Sequence, residues 1–243
     1  MKHAAYDAIG SAYEDYARSA TMKRAECHSV LAMVGDLAGK RVLDLACGTG
    51  FYSRQLEARG ASSVLGVDLS PEMIRVAREI EAREPRGIAY RVADATAEHL
   101  GTFDLVNAVW LLNYAESREQ LQRMVRSVAG ALAPGGRFVA FTINPDFDHR
   151  TSQSAKYGVR IVSEEREDDH VLCHGEFVTD PPMPVDVRRF SRAAYDDAFR
   201  RAGFASHQWV PAGPSAADLD ELGEAYWQDF VANCIGIGIV ATR

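Results

Sequence analysis

The sequence predicts an α/β fold built on a mostly parallel sheet, and three observations carry that expectation. From Arg41 onward, short apolar runs alternate with amphipathic helical stretches, the pattern of βαβ units. The first run passes directly into a glycine-rich turn, Gly48-Thr49-Gly50. The chain has 243 residues, of which 47% are apolar and 25% charged, a globular balance that excludes disorder and collagen-like structure.

Residues 1–40 read as a helical lid ahead of the first strand, with Tyr6, Ile9, Tyr13 and Tyr16-Ala17 recurring at spacings of three and four. Strands are expected near 41–46, 63–68, 88–92, 103–110 and 136–143. Ser70-Pro71 gives one intervening helix an N-cap and an N1 proline, with Met73, Ile74, Ala77 and Ile80 inward. Ser117-Arg118-Glu119-Gln120 reads as a capping box for a second, which Pro134-Gly135-Gly136 then stops. After residue 144 the rhythm breaks. Extended segments at 157–163, 170–179 and 184–190 read as a β-rich insertion spanning 144–190. Ser191 caps a further helix that Gly203 ends, and strands near 204–210 and 234–241 close a chain expected to form one domain.

Charge and cysteine usage bound the partners. Twenty-seven basic against 34 acidic residues leave a net charge of −7, which supplies no general field for a polyanion, so no nucleic-acid partner is expected. Cys27, Cys47, Cys173 and Cys234 form no CxxC pair, and the first residues turn polar before an apolar leader core is built. A cytoplasmic monomer or homodimer, with no membrane partner, is the expectation.

The chemistry is concentrated at the carboxyl ends of the predicted strands. Gly48 and Gly50 remove Cβ atoms where the backbone turns tightly and a ligand can approach it. Asp68 ends the second strand 18 residues beyond Gly50, where a carboxylate can accept both hydroxyls of a ribose. Asp94-Ala95 follows the third strand. Ser53 stands where a dinucleotide turn has its third glycine, which argues against a nicotinamide-dependent dehydrogenase, the runner-up enzyme class. A cofactor-binding protein without turnover is the non-enzymatic alternative.

Asp44, Gly48-Thr49-Gly50, Asp68, Asp94 and Pro134-Gly135-Gly136 together resemble the class I S-adenosylmethionine-dependent methyltransferases over about residues 40–143. The resemblance implies a Rossmann-like seven-stranded sheet with an antiparallel last strand, the methionine moiety beside Ala46, Cys47, Gly48 and Gly50, the ribose on Asp68, and the adenine amino group on Asp94 between Leu69 and Met73. Tyr13, Asp44, Ala95 and Ala108 complete the implied cofactor set. Asp44 keeps a second reading, orienting the amides of the turn, and Asp94 keeps one as the cap of the segment at Ala95-Thr96. Cys47 reads as a small packing residue.

In this family the loop after the fourth strand faces the transferred methyl group. Trp110, Asn113 and Tyr114 are therefore acceptor candidates, joined by Tyr6, His149 and Tyr157; Trp110 and Tyr114 also read as core. Methyl transfer needs alignment more than a nucleophile, so no catalytic side chain is named beyond positioning by Tyr6, Tyr13, Trp110 and Asn113. Many small-molecule members carry His where this chain has Asn113, which tilts the expected acceptor toward nitrogen, with O-methylation as the alternative and His149 as its base. The aromatic supply suggests a flat heterocycle as acceptor, and the resemblance of the overall layout to bacterial small-molecule N-methyltransferases implies one of azapteridine type.

Three other motifs lead nowhere. Gly35-Asp36-Leu37-Ala38-Gly39-Lys40 precedes a strand, unlike a phosphate loop, and Asn144-Pro145-Asp146-Phe147 follows the fifth strand rather than the fourth. His170-Val171-Leu172-Cys173-His174 alternates, putting the two histidines on one strand face and Cys173 on the other, so no metal is expected.

Overall fold

A computed structural model describes residue 16 and residues 20–96 and 100–243 of the chain. Among the described residues the strands and α-helices follow in order: α1 (Thr21–Val34), β1 (Arg41–Leu45), α2 (Phe51–Ala58), β2 (Ser63–Asp68), α3 (Pro71–Arg83), β3 (Ala89–Val92), β4 (Phe103–Val109), α4 (Arg118–Ala131), β5 (Leu132–Ile143), β6 (Val159–Arg166), β7 (Val171–Phe177), β8 (Met183–Arg189), α5 (Arg192–Ala202), β9 (Ser206–Pro211), α6 (Ala216–Leu222), α7 (Glu224–Ala232) and β10 (Gly236–Thr242). The predicted helix over residues 1–19 lies outside the described residues apart from Tyr16.

The main sheet has seven strands in the order β3-β2-β1-β4-β5-β10-β9. Strands β1 to β5 pair in parallel, and β10, the last strand, runs antiparallel between β5 and β9. The central strands are buried on both faces, as crossover helices on both sides require. Alternation assigns the faces: Val42, Leu105, Val109, Val139 and Phe141 join one core with α1, α2 and α3, while Leu43, Val106, Ala108, Phe138 and Ala140 join the other with α4 and α5.

Helix starts follow the capping chemistry. The hydroxyls of Ser70 and Ser191 accept from the amides of Met73 and Ala194 at 3.1 and 3.2 Å. The hydroxyl of Ser117 accepts from the Gln120 amide, but Gln120 Oε1 accepts in turn from the Glu116 amide at 2.8 Å, so the box closes one residue early. A complete box occurs where no element was expected: Ser215 and Asp218 cap each other at the start of α6. Pro134-Gly135-Gly136 does not end α4, which stops at Ala131. Gly135 donates to Arg243 O and Gly136 accepts from Arg243 N, so pairing with the C-terminus draws this segment into β5.

The three extended segments after residue 144 form a separate antiparallel sheet, β6-β7-β8. Its Cys173, Phe177, Val185 and Val187 turn inward onto the core that holds α1. The expected pairing of His170 with His174 on one face fails. Strand β7 begins after His170, which turns inward against Phe190 at 5.2 Å, whereas His174 faces outward beside Asp186 at 2.9 Å. No helix among the described residues is long and apolar enough to cross a membrane.

Candidate active site

The turn between β1 and α2 adopts left-handed backbone at three points: Ala46 (φ 55°), Gly48 (φ 54°) and Gly50 (φ 83°). The positive φ of Ala46 costs an L residue about 1 kcal/mol, a strain typical of ligand sites. Gly48 donates to Asp68 Oδ2 at 2.8 Å and Ser70 N donates to Asp68 Oδ1 at 2.9 Å. Two backbone donors thus fix the Asp68 carboxylate against the turn, at the mouth of a large cavity. A Cβ built on Gly48 meets nothing within 4 Å, so its missing side chain leaves space open to a ligand.

Asp44 and Gly50, both expected at the cofactor, do not line that cavity. Asp44 is buried beneath the turn. Its Oδ2 accepts from the Ser53 hydroxyl at 2.6 Å and its Oδ1 from Asn107 Nδ2 at 2.7 Å, contacts that tie β1 to α2 and β4. Burial pushes its carboxyl up to about 6 against the hydrogen bonds that favour ionisation. A raised native-state pKa means the folded chain binds the extra proton, so this group's contribution to stability falls as pH rises from about 4 to 6 and is flat above. Asp44→Asn should abolish that slope. Urea midpoints should shift in the variant's favour by on the order of 3 kcal/mol between pH 4 and 7, and parallel curves would show that Asp44 stays ionised.

Gly50 has a steric duty instead. Its Cβ position lies 2.3 Å from the Tyr90 hydroxyl, and that of Gly66 lies 2.6 Å from Tyr90 Cδ1, so two glycines admit the ring. Asp94 lines the cavity, with Oδ1 also accepting from the amide and hydroxyl of Thr96 at 2.7 Å. It is thus both a cap and a cavity wall. Ala46, Cys47, Gly48, Asp68, Leu69, Met73 and Ala95 also line the cavity. Burial, with Asp44 and Asp68 nearby, holds the Cys47 thiol well above its ordinary pKa, in keeping with a packing role.

At the other end of the cavity β4 delivers Trp110, whose φ is 60°. Its amide donates to Phe141 O at 2.7 Å and its ring meets Phe141 edge-on at 5.1 Å. The indole Nε1 donates to Glu26 Oε2 at 2.7 Å, across 84 positions of sequence. Glu26 has no exposed surface, and its Oε1 also accepts from the Tyr52 hydroxyl at 2.7 Å and from Lys23. A buried carboxylate from α1 therefore ties together α1, α2 and the β4 loop. Lys23 is a local partner three residues back, but the Tyr52 and Trp110 donors meet Glu26 only in space.

The cavity, of about 1320 Å³, runs from the glycine turn to this loop. Lys23 and His28 of α1, Trp110 and Tyr114 of the β4 loop, and Val185 and Arg188 of β8 also line it. Three expected site residues lie elsewhere. Ala108 faces the opposite core, because alternation points it away when Val109 faces the cavity. His149 sits beside Glu164 at 3.2 Å, away from the cavity. Tyr157 is consumed by packing: its ring stacks on Trp227 at 5.7 Å and its hydroxyl donates to Tyr226 O at 2.7 Å. Tyr6 and Tyr13 lie outside the described residues. Asn113 does not line the main cavity but floors a recess behind Trp110. Among the described residues no group of three His, Cys, Asp or Glu side chains is arranged to hold a metal ion.

Residues 42–136, from β1 into β5, match the family model described as a methyltransferase domain. A solved S-adenosylmethionine dependent methyltransferase from Mesorhizobium loti superposes on 90% of this chain and 98% of its own, with a TM-score of 0.65 and 27% identity. The fold is that of the class I methyltransferases, and residues 42–136 are similar to their core. Among curated proteins, the ubiquinone biosynthesis O-methyltransferase of Xanthomonas oryzae pv. oryzae (strain PXO99A) is 37% identical over 112 residues. The chain spans 45% of that relative's length, and the matched stretch is 45% of this chain. An amino pentose methyltransferase from Micromonospora echinaspora, solved with S-adenosylmethionine bound, shares the fold at 22% identity and a TM-score of 0.61, over 97% of this chain and 96% of its own. S-adenosylmethionine is the cofactor of this class, and the open cradle at Gly48, the fixed Asp68 carboxylate and the apolar slot of Leu69 and Met73 fit it.

Proposed function

We propose that this chain transfers a methyl group from S-adenosylmethionine to a small, flat heteroaromatic metabolite, at nitrogen. The observation that carries the reading is one continuous cavity joining the Gly48 turn, Asp68 and Asp94 to the Trp110 and Tyr114 loop. Asp68 holds the ribose hydroxyls, Asp94 takes the adenine amino group between Leu69 and Met73, and Ala46 to Gly48 cradle the methionine end. When bound, the cofactor supplies an electrophilic methyl on a sulfonium.

The protein's share of the work is alignment and exclusion of water. Trp110 and Tyr114 stack an aromatic acceptor at the far end of the cavity, and Glu26 locks the indole in place through its N–H. Holding both reactants in line removes roughly 7–11 kcal/mol of a bimolecular barrier, without a covalent step. A ring nitrogen offers its lone pair directly and so needs no positioned base. An azapteridine-type acceptor is the specific form of this reading.

O-methylation is the second reading, favoured by the activity printed for the Xanthomonas relatives. In that case His28, the imidazole that lines the cavity among the described residues, is the base. Turnover of a heterocycle panel with methyl-labelled S-adenosylmethionine, followed by NMR of the product, separates N-methyl from O-methyl. Calorimetry tests the class itself: S-adenosylmethionine and S-adenosylhomocysteine should bind, and binding of NAD alone overturns the reading. Asp68→Ala should weaken cofactor affinity by about 1.5–3 kcal/mol, the scale of hydrogen bonds to a charged group, and an unchanged dissociation constant would move the ribose elsewhere.

A further inference from the structure

Arg188 and Arg189 end β8, the strand at one edge of the three-stranded sheet, and their guanidinium groups differ in what they meet. Arg189 is fully engaged, donating to Glu164 Oε2 and to Phe147 O, each at 2.7 Å. Arg188 is half-buried and lines the main cavity in one wall with Pro184, Val185 and Asp186. Among the described residues its guanidinium has no hydrogen-bond or ion-pair partner. Its Nε is enclosed by protein, whereas Nη1 and Nη2 are neither enclosed nor bonded, so the end of the fork keeps accessible surface. The other cations of the cavity wall are already paired or solvated. Lys23 pairs with Glu26 and Arg24 with Asp218 and Glu221, Arg54 donates to Thr49 O at 2.8 Å, and His28 and Arg59 are exposed. Of the acids in the same wall, Asp186 faces His174 at 2.9 Å and Glu116 is exposed. A partly buried charge without a counter-ion is costly to keep unless a ligand supplies one.

Strand β8 packs on the 3-10 helix Leu112–Tyr114 that follows β4, and on β5. In the order β3-β2-β1-β4-β5 those strands stand on the opposite side of β1 from β2 and β3, which lead to Asp68 and Asp94. Arg188 is therefore placed with Tyr114, away from the residues that hold the nucleoside. Resting on the methyltransferase reading, we infer that Arg188 is a specificity residue that binds a carboxylate carried by the acceptor, a heteroaromatic acid. The two terminal N–H groups at the end of a guanidinium lie parallel and match the two oxygens of a carboxylate in a charge-assisted bidentate pair. One free cation balances one negative charge. A phosphate dianion would need a second, and Lys23 and Arg24 are already paired. Stacking on Trp110 and Tyr114 leaves a flat ring free to turn in its own plane; an anchor on Arg188 stops that rotation and selects which ring nitrogen faces the methyl group.

The test uses the full chain saturated with S-adenosylhomocysteine and compares nicotinate with nicotinamide by calorimetry, since the two differ in charge at nearly equal size. Wild-type protein should prefer nicotinate by about tenfold. In Arg188→Gln that preference should shrink to within about twofold, and in Arg188→Lys, which keeps the charge without the fork, it should fall to about threefold. Melting temperature and S-adenosylhomocysteine affinity should stay with wild type in both variants. Equal or absent binding of the two probes to wild type, a preference that survives in Arg188→Gln, or phenyl phosphate binding more tightly than nicotinate overturns the carboxylate assignment. S-adenosylhomocysteine carries the methionine carboxylate, so a variant that loses affinity for it assigns Arg188 to the cofactor and overturns the inference as well. If Arg188→Gln does not fold, Arg188→Lys decides, by whether its preference falls below wild type. Wild-type protein that fails to bind S-adenosylhomocysteine sinks the methyltransferase reading, whereas binding it without preferring nicotinate sinks only the carboxylate anchor.

Discussion

Glu26→Ala should destabilise the protein by about 3–5 kcal/mol, the cost of breaking one side of a buried ion pair. Lys23, 8% exposed, would lose a carboxylate partner, while the Tyr52 hydroxyl and the Trp110 indole would each lose an acceptor. For a chain of this size the loss corresponds to a fall in melting temperature of about 10 °C. Glu26→Gln is the sharper comparison because it keeps the shape. Three donors converge on Glu26, and a carboxamide turns one of its two acceptor oxygens into a further donor, so a loss of about 1–3 kcal/mol is expected. The functional signature follows from Trp110: with its N–H released, acceptor KM should rise while cofactor affinity is largely kept. A Glu26→Gln protein that melts with wild type and keeps its acceptor KM would show that the carboxylate neither braces the fold nor aligns the indole.

Gly50→Ala should cost about 2–5 kcal/mol and abolish tight cofactor binding. Two penalties add. Backbone at φ 83° disfavours an L residue by about 1–2 kcal/mol. The new methyl would also meet the Tyr90 hydroxyl at 2.3 Å and its ring carbons at 2.8 and 2.9 Å, an overpacking worth about 1–3 kcal/mol. Gly66 packs against the same Cδ1–Cε1 side of the ring, so the strain is relieved by a shift of Tyr90 or of the turn. A shift of the turn carries with it the Gly48 amide that holds Asp68. Adding Tyr90→Leu should recover the steric share and leave the backbone share. A single Gly50→Ala variant with wild-type melting and cofactor affinity would mean that the turn accommodates a side chain.

Much of this was legible along the chain, because it rests on local chemistry. The strands β1 to β4, the caps at Ser70 and Ser191, and the glycine turn with an acid at the end of the next strand are periodicities and neighbours within a few residues. What misled the reading were residues judged by type alone. His149 and Tyr157 have side chains suited to an acceptor site, yet the first lies beside Glu164 and the second fills the core against Trp227. Ala108 and Asp44 belong to the right strands, but strict alternation turns Ala108 to the opposite core, and Asp44 is held under the turn by Ser53 and Asn107. The box at Ser215 was legible by the same capping rule that located α4 and was passed over.

The order of strands and helices, the cofactor half of the sheet and the acids at its edge could be read from the amino acids in line, since each depends on contacts no longer than a helix turn or a strand. The position of β10 between β5 and β9, the carboxylate of Glu26 joined to Trp110, and the orphaned amide of Asn113 behind it depend on residues far apart in sequence. Those belong to the tertiary structure, because a buried polar group takes its meaning from whichever distant partners the packing brings, or fails to bring, within hydrogen-bond reach.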